Sequence, residues 1–308
     1  MPKPNQGASH QDQISLTEAG LTVCAHLAAK HPRASASEWI ERIQAGQVLL
    51  DDQPAKPTDL LRKGQRLVWK RPPWVEPEAP LATAVLYEDG DLLAVAKPSG
   101  LPTLPGGGEY QDHTLLALVR RRHPEASPMH RLGRGTSGVV LFAPTAAARK
   151  PLQKAFQLDG TRKIYRALCT GHPLADTFEI EAPIGEVPYP PLGLLHAASE
   201  HGRPSFSRVS VLERQENGTL VDVDIRTGRP HQIRIHLAWA GHPLVGDPLY
   251  GPGGTPRPGS SALPGDLGYL LHAHRLELAH PRTGEWITLS CAPPPTLRAF
   301  HEKHPGRR

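Results

Sequence analysis

The chain has little of what marks several common protein classes. Cysteine occurs three times, at Cys24, Cys169 and Cys291. An odd number of widely spaced thiols argues against a disulfide framework or a clustered zinc site and suits a reducing compartment. No apolar run approaches the ~20 residues that a membrane-spanning helix needs. The first residues, MPKPNQGASHQDQ, lack the apolar core of a signal peptide. These absences predict a cytoplasmic protein with no membrane partner. No metal is expected either. His231 and His236 lie about 140° apart on a helix and on opposite sides of a strand, which is poor for joint ligation. Gly106–Gly108 is not followed by Lys-Ser/Thr, so it reads as a loop and not as a phosphate cradle.

Proline and glycine are abundant, at 34 and 29 of 308 residues. That favours turns and ordered loops over long helices. Hydrophobic residues make up 38%, enough to bury a sizeable core, and the length suits two domains. The net charge of +5 is unevenly spread: Val119 to Ala167 holds eleven Lys or Arg against two acids, Glu125 and Asp159. A basic surface there is the footprint expected for contacts to nucleic-acid phosphates.

The chain divides by pattern. Residues 1–20 are polar and read as a flexible tail. Within 21–71, Leu21 to Lys30 reads as a helix with Val23, Leu27 and Ala28 on one face. Ser37 is placed to cap a second helix with Ile40 and Ile43 inward. A short strand, an Asp-rich turn and a closing strand follow. Residues 72–80, rich in proline, read as a semi-rigid linker. The main domain spans 81–300, with 301–308 as a tail. Asn217-Gly218 between two alternating segments signals a hairpin, and Val221, Val223 and Ile225 point inward. Strands and helices mix without a regular βαβ rhythm. The predicted class is therefore α+β, with a mixed, mainly antiparallel sheet flanked by helices and a small N-terminal α/β module.

Five segments carry a resemblance. HRLGRGTSGVVLFA (130–143), YEDGDLLAVAKPSGLPT (87–103), KIYRAL (163–168), TGRPHQIRIHLAWAGHPLVGDPLYG (227–251) and LHAHRLELAHPRTGE (271–285) occur in that family's order. Together they resemble the RluA-type RNA pseudouridine synthases. The resemblance implies that family's fold and isomerisation of a uridine in structured RNA, either tRNA or rRNA; that reaction has no redox step and so requires no cofactor, and a monomer is the default expectation. Residues 21–71 likewise resemble the small RNA-binding module first known from a ribosomal protein, here called S-four-like. Carried over by motif, Tyr165 is the active-site tyrosine and Arg234 the basic partner of the catalytic aspartate. His130, Arg131, Arg134, Thr136, Lys163, Arg229 and His231 are RNA contacts. The aspartate itself belongs at position 133, where this chain has Gly133.

The chemistry explains why that matters. The target base must leave the stack and enter a pocket. The glycosidic carbon becomes cationic or is attacked, so a carboxylate is the natural group beside it. Glycine cannot serve, and an arginine buried without its acid costs several kcal/mol. Three readings stay open. Another acid or an altered mechanism supplies the charge, with Asp247 the nearest acid by motif though equally placed to cap its own loop; or the chain is an inactive RNA-binding paralogue; or the pocket takes another nucleoside-like ligand. Gly133-Arg134-Gly135 reads as a flexible run, and Gly133→Asp is expected to raise activity if the pocket is otherwise intact.

Overall fold

A computed structural model describes residues 3–31, 34–106, 108–158 and 160–303. The chain forms two compact units that divide after Pro77, inside the segment read as a linker. The predicted C-terminal tail lies largely outside the described residues.

The N-terminal unit runs β1 (Ala8–Gln13), α1 (Val23–Lys30), α2 (Ala36–Gln44), β2 (Val48–Leu50), β3 (Gln53–Pro54) and β4 (Arg66–Arg71). Its sheet has the order β1-β4-β2-β3. The strand β1 corrects the reading of residues 1–20 as a flexible tail: it pairs antiparallel with β4 from Ala8↔Arg71 to Gln13↔Arg66. Polar strands at a sheet edge carry no hydrophobic signal, so only pairing reveals them. The cap of α2 is Ser35, not Ser37. Ser35 Oγ accepts from the Glu38 amide, and Glu38 Oε2 accepts from the Ser35 amide at 2.7 Å. The face turned inward is also one residue off the expected one. Trp39 and Ile43 are buried, while Ile40 is left exposed. Ser35→Ala is expected to lower the stability of this unit by about 1 kcal/mol, read as a shift in its urea midpoint at unchanged slope.

The second unit begins with β5 (Ala84–Glu88), β6 (Leu93–Lys97), α3 (Leu115–Arg120), β7 (Ser127–Pro128), β8 (Ser137–Ala143), α4 (Ala146–Phe156) and β9 (Arg162–Cys169). It continues with β10 (Thr177–Ile180), β11 (Ile184–Tyr189), β12 (Gly193–Ala198), β13 (Ser207–Gln215), β14 (Gly218–Ile225) and α5 (Gln232–Trp239). It closes with β15 (Leu271–Ala279), β16 (Trp286–Ser290) and α6 (Phe300–Lys303). One large sheet has the order β10-β13-β14-β9-β15-β8-β6-β5, with β16 beside β15 and β7 beside β8. Its pairings are antiparallel except β8 with β15. The class is the α+β predicted. The hairpin sits one residue earlier than its signal, because Gln215 pairs with Gly218 and leaves Glu216-Asn217 as the turn. Pro151 lies inside α4 beyond its first turn.

Two apolar clusters cover this sheet. One gathers β6, β8, α3 and α4 around Phe142, Leu141 and Leu152; the other gathers β9, β14 and α5 around Val221, Ile233 and Leu237. Tyr165 packs against both. The seam between them is where the loop of residues 130–136 enters β8. At that entry Gly138 has φ +118, and a Cβ there would stand 2.2 Å from the Ala273 carbonyl oxygen. Only glycine permits the β8–β15 join to close so tightly.

Candidate active site

The loop from His130 to Thr136 is pinned along its length. Thr103 Oγ1 donates to the Leu132 carbonyl and accepts from the Leu132 amide. The Gly100 amide and Lys97 Nζ both donate to the Arg134 carbonyl, and Ser99 Oγ donates to that of Gly135. Gly133 and Gly135 do not use left-handed backbone, so the reading of a flexible glycine run is corrected. Their lack of a Cβ is what matters. A Cβ on Gly133 would lie 2.9 Å from Tyr269 Oη, and one on Gly135 would lie 2.8 Å from the Tyr269 ring. Tyr269 fills the space that side chains there would need. Nothing in its sequence surroundings linked it to the loop.

A cavity of about 400 Å³ opens beside this loop. Its wall includes His130, Arg131, Gly133 and Thr136 from the loop, Lys163 and Tyr165 from β9, and Arg229, His231 and Arg234 at the start of α5. Nine of the ten residues carried over by motif thus share one hollow. The exception is Arg134. Its Nε donates to the Gly265 carbonyl and its Nη1 to Tyr110 Oη, which hold it off the wall. The volume suits one nucleoside-sized group.

The groups around the cavity are set by burial. Tyr165 is pushed up to about 12 by burial, so its hydroxyl keeps its proton. His130 is pulled down to about 4 by burial and then by Lys163. It is therefore neutral, with Nε2 accepting from the Leu141 amide and its ring stacked on Phe156. Lys163 is lowered by burial and lies over the Phe156 ring at 4.4 Å. His231 adopts left-handed backbone, φ 55 and ψ 18, at the N-terminus of α5. Such strain in a non-glycine residue persists where neighbours over-determine it. Tyr250 Oη donates to the His196 carbonyl at 2.6 Å. With its one hydrogen committed there, it must accept from His231 Nδ1 at 2.7 Å. Burial and then Arg234 lower His231 to about 3, so it is neutral and its Nε2 is an acceptor. His236 bonds Ser207 Oγ and the Ala182 carbonyl instead.

Arg234 does have an acid partner. Its Nε donates to Asp247 Oδ2 at 2.7 Å and its Nη2 to Oδ1 at 2.8 Å, while Nη1 reaches the Pro264 carbonyl. Its guanidinium lies over the rings of Tyr269 and Tyr250 at 4.1 and 5.1 Å. Asp247 is 3% exposed. Its Oδ1 also accepts from the Leu249 and Tyr250 amides. It does not reach the cavity wall, which corrects the idea that it supplies the missing charge to a substrate. Among the described residues the wall carries no Asp or Glu.

Comparison with known proteins identifies the chain's relatives. Residues 91–239 match the family model described as RNA pseudouridylate synthase. An uncharacterized RNA pseudouridine synthase of Synechocystis is 47% identical, across 84% of this chain and 89% of its own. RNA pseudouridine synthase 5 of Arabidopsis thaliana is 42% identical, across 96% of this chain and 95% of its own. Ribosomal large subunit pseudouridine synthase D of Neisseria meningitidis serogroup B is 33% identical, across 91% and 78%. Among solved structures, human RNA pseudouridylate synthase domain containing 1 superposes with a TM-score of 0.56 at 26% identity, covering 72% of this chain and 89% of that one. Fold, cavity and sequence point the same way, and the chain belongs to the RluA-type RNA pseudouridine synthase family.

Proposed function

We propose that the cavity receives a uridine turned out of a structured RNA and that the chain isomerises it to pseudouridine. The observation that carries this reading is the nucleoside-sized hollow walled by Tyr165 and the His231–Arg234 turn in a chain of this family. Tyr165, held protonated, offers a ring face to a base and a hydroxyl donor. Arg131 and Arg229 supply charge for flanking phosphates. Arg229 Nε is buried without a hydrogen-bond partner, a donor left for a ligand. Position 133 is read as the place of the family carboxylate, replaced here by glycine. The N-terminal unit is read as the S-four-like module, which adds contacts to structured RNA.

The test uses tRNA and rRNA transcripts carrying tritium at uridine C5. Release of tritium, with a new pseudouridine mapped on the RNA, is expected. A second reading, an RNA-binding protein without turnover, is favoured by the acid-free cavity wall. It predicts RNA binding with no tritium release, and that result overturns the first. Under either reading, binding should weaken at least about tenfold when salt rises from about 50 to about 200 mM, because the basic stretch displaces counterions. A flat response removes the phosphate contacts.

A further inference from the structure

Breaking the bond between uridine C1′ and N1 leaves positive charge on C1′, and an oxygen near that carbon stabilises it. No carboxylate oxygen faces this cavity among the described residues. Asp247 is committed to Arg234 and to two backbone amides. The site nevertheless presents another oxygen where an acid on the loop would be. Tyr269 is 4% exposed and lines the cavity. Its Oη stands 2.9 Å from the position of a Cβ on Gly133 and 3.3 Å from Thr136 Oγ1.

Three features hold it there. Glycine at 133 clears the space for the hydroxyl. Glycine at 135 clears the space for the ring, since a Cβ there would meet Cζ at 2.8 Å and Cε1 at 2.9 Å. The Arg234 guanidinium stacks at 4.1 Å on the ring. Gly133 has a backbone conformation open to any residue. Tyr269, and not the main chain, is therefore what bars a side chain at that position. Two glycines and a tyrosine form one packing unit, and its polar tip points to the cavity.

We infer that Tyr269 is a catalytic residue of this site: its hydroxyl oxygen meets the ribose of the bound uridine and stabilises the charge on C1′. The inference rests on the synthase reading above. The bond pair of C1′–N1 leaves with N1, the uracil turns, and C5 bonds C1′. The C5 hydrogen departs as a proton and N1 takes one up, so no outside reactant is consumed. Tyr269 forms no covalent bond.

The experiment compares the full chain with Tyr269→Phe, Gly135→Ala, Gly133→Asp and the double variant Gly133→Asp/Tyr269→Phe. The single-turnover rate of tritium release from C5-labelled RNA is measured, together with RNA affinity and melting temperature. Tyr269→Phe keeps the ring over Arg234 and removes only the oxygen. Its rate is expected to fall about 10²-fold, with affinity within about twofold. Gly135→Ala displaces the same ring without altering it and should slow release likewise, so the inference is readable even if Tyr269→Phe fails to fold. The sequence alone led to an expected gain for Gly133→Asp, but Tyr269 occupies the space of that side chain, so the single variant should instead lose both rate and melting temperature, and Tyr269→Phe added to it should restore the melting temperature. Wild-type rates in Tyr269→Phe overturn the inference, as does an unchanged melting temperature in Gly133→Asp. If only Gly135→Ala folds, its wild-type rate overturns it. A wild-type chain that releases no tritium overturns the synthase reading, and the inference with it. An active chain with an equally active Tyr269→Phe overturns the inference alone.

Discussion

Asp247→Ala is expected to lower the stability of the second unit by about 3–5 kcal/mol, because it strands the buried Arg234 cation. Both ends of this pair are nearly sealed, with side-chain exposures of 2% and 0%. The arginine keeps only the Pro264 carbonyl and the two tyrosine faces. Denaturant unfolding measures the loss, and a change under about 1 kcal/mol would show that water reaches the guanidinium. Replacing both partners, Arg234→Met with Asp247→Leu, should recover only part of it: an apolar filling can stand in for a paired ion, but the Leu249 and Tyr250 amides still lose their acceptor.

The pH dependence has a definite sign. Burial pushes the Asp247 carboxyl up, but the Arg234 hydrogen bonds and charge, with the Leu249 and Tyr250 amides, overcome it and hold the group below the usual range. A carboxylate with a depressed folded value stabilises fully above its unfolded value, roughly 3.9. That stability is lost as pH falls through the folded value. The penalty of Asp247→Ala should thus be constant at neutral pH and shrink below about pH 4.

Lys97→Met is expected to have the next largest effect, about 2–3 kcal/mol near neutral pH. Lys97 is 2% exposed and has no acid partner among the described residues; its Nζ donates to the carbonyls of Leu101, Pro98 and Arg134. It therefore ties the turn after β6 to the loop that carries Gly133. Burial pulls its amine down to about 7, while an unfolded lysine titrates near ~10.4. Between those values the unfolded chain binds more protons, so stability rises with pH across that window. The variant lacks this term, and its deficit should widen from pH 6.5 to pH 9.5. A deficit that narrows over that range would mean the ammonium is better held by its three carbonyls than the amine is.

Much of this was legible in the chain. The α+β class follows from mixed short strands and helices, and Val221, Val223 and Ile225 are buried as their alternation implied. Four of the five motif blocks contribute residues to the wall of one hollow, and the fifth, 87–103, holds the loop of Gly133 from behind through Ser99 and Thr103. Less legible were features without a periodic signal. Edge strand β1 is polar, and the cap of α2 turns on a choice between Ser35 and Ser37 that only the Glu38 carboxylate makes. Arg134 looked like its neighbours in the motif until Tyr110 and Gly265 claimed it.

The sequence by itself determined the family, the sheet class, the basic stretch and the glycine at position 133. Tertiary structure alone decided what that glycine means. Whether position 133 is empty depends on a ring brought in from β15's approach, and whether Arg234 is stranded depends on an aspartate in a separate loop. The first contact joins residues far apart along the chain, and the second joins residues 13 positions apart that face each other only once the loop after α5 has folded back. Steric exclusion and ion pairing act over a few ångströms of space, whereas motif spacing records only distance along the backbone.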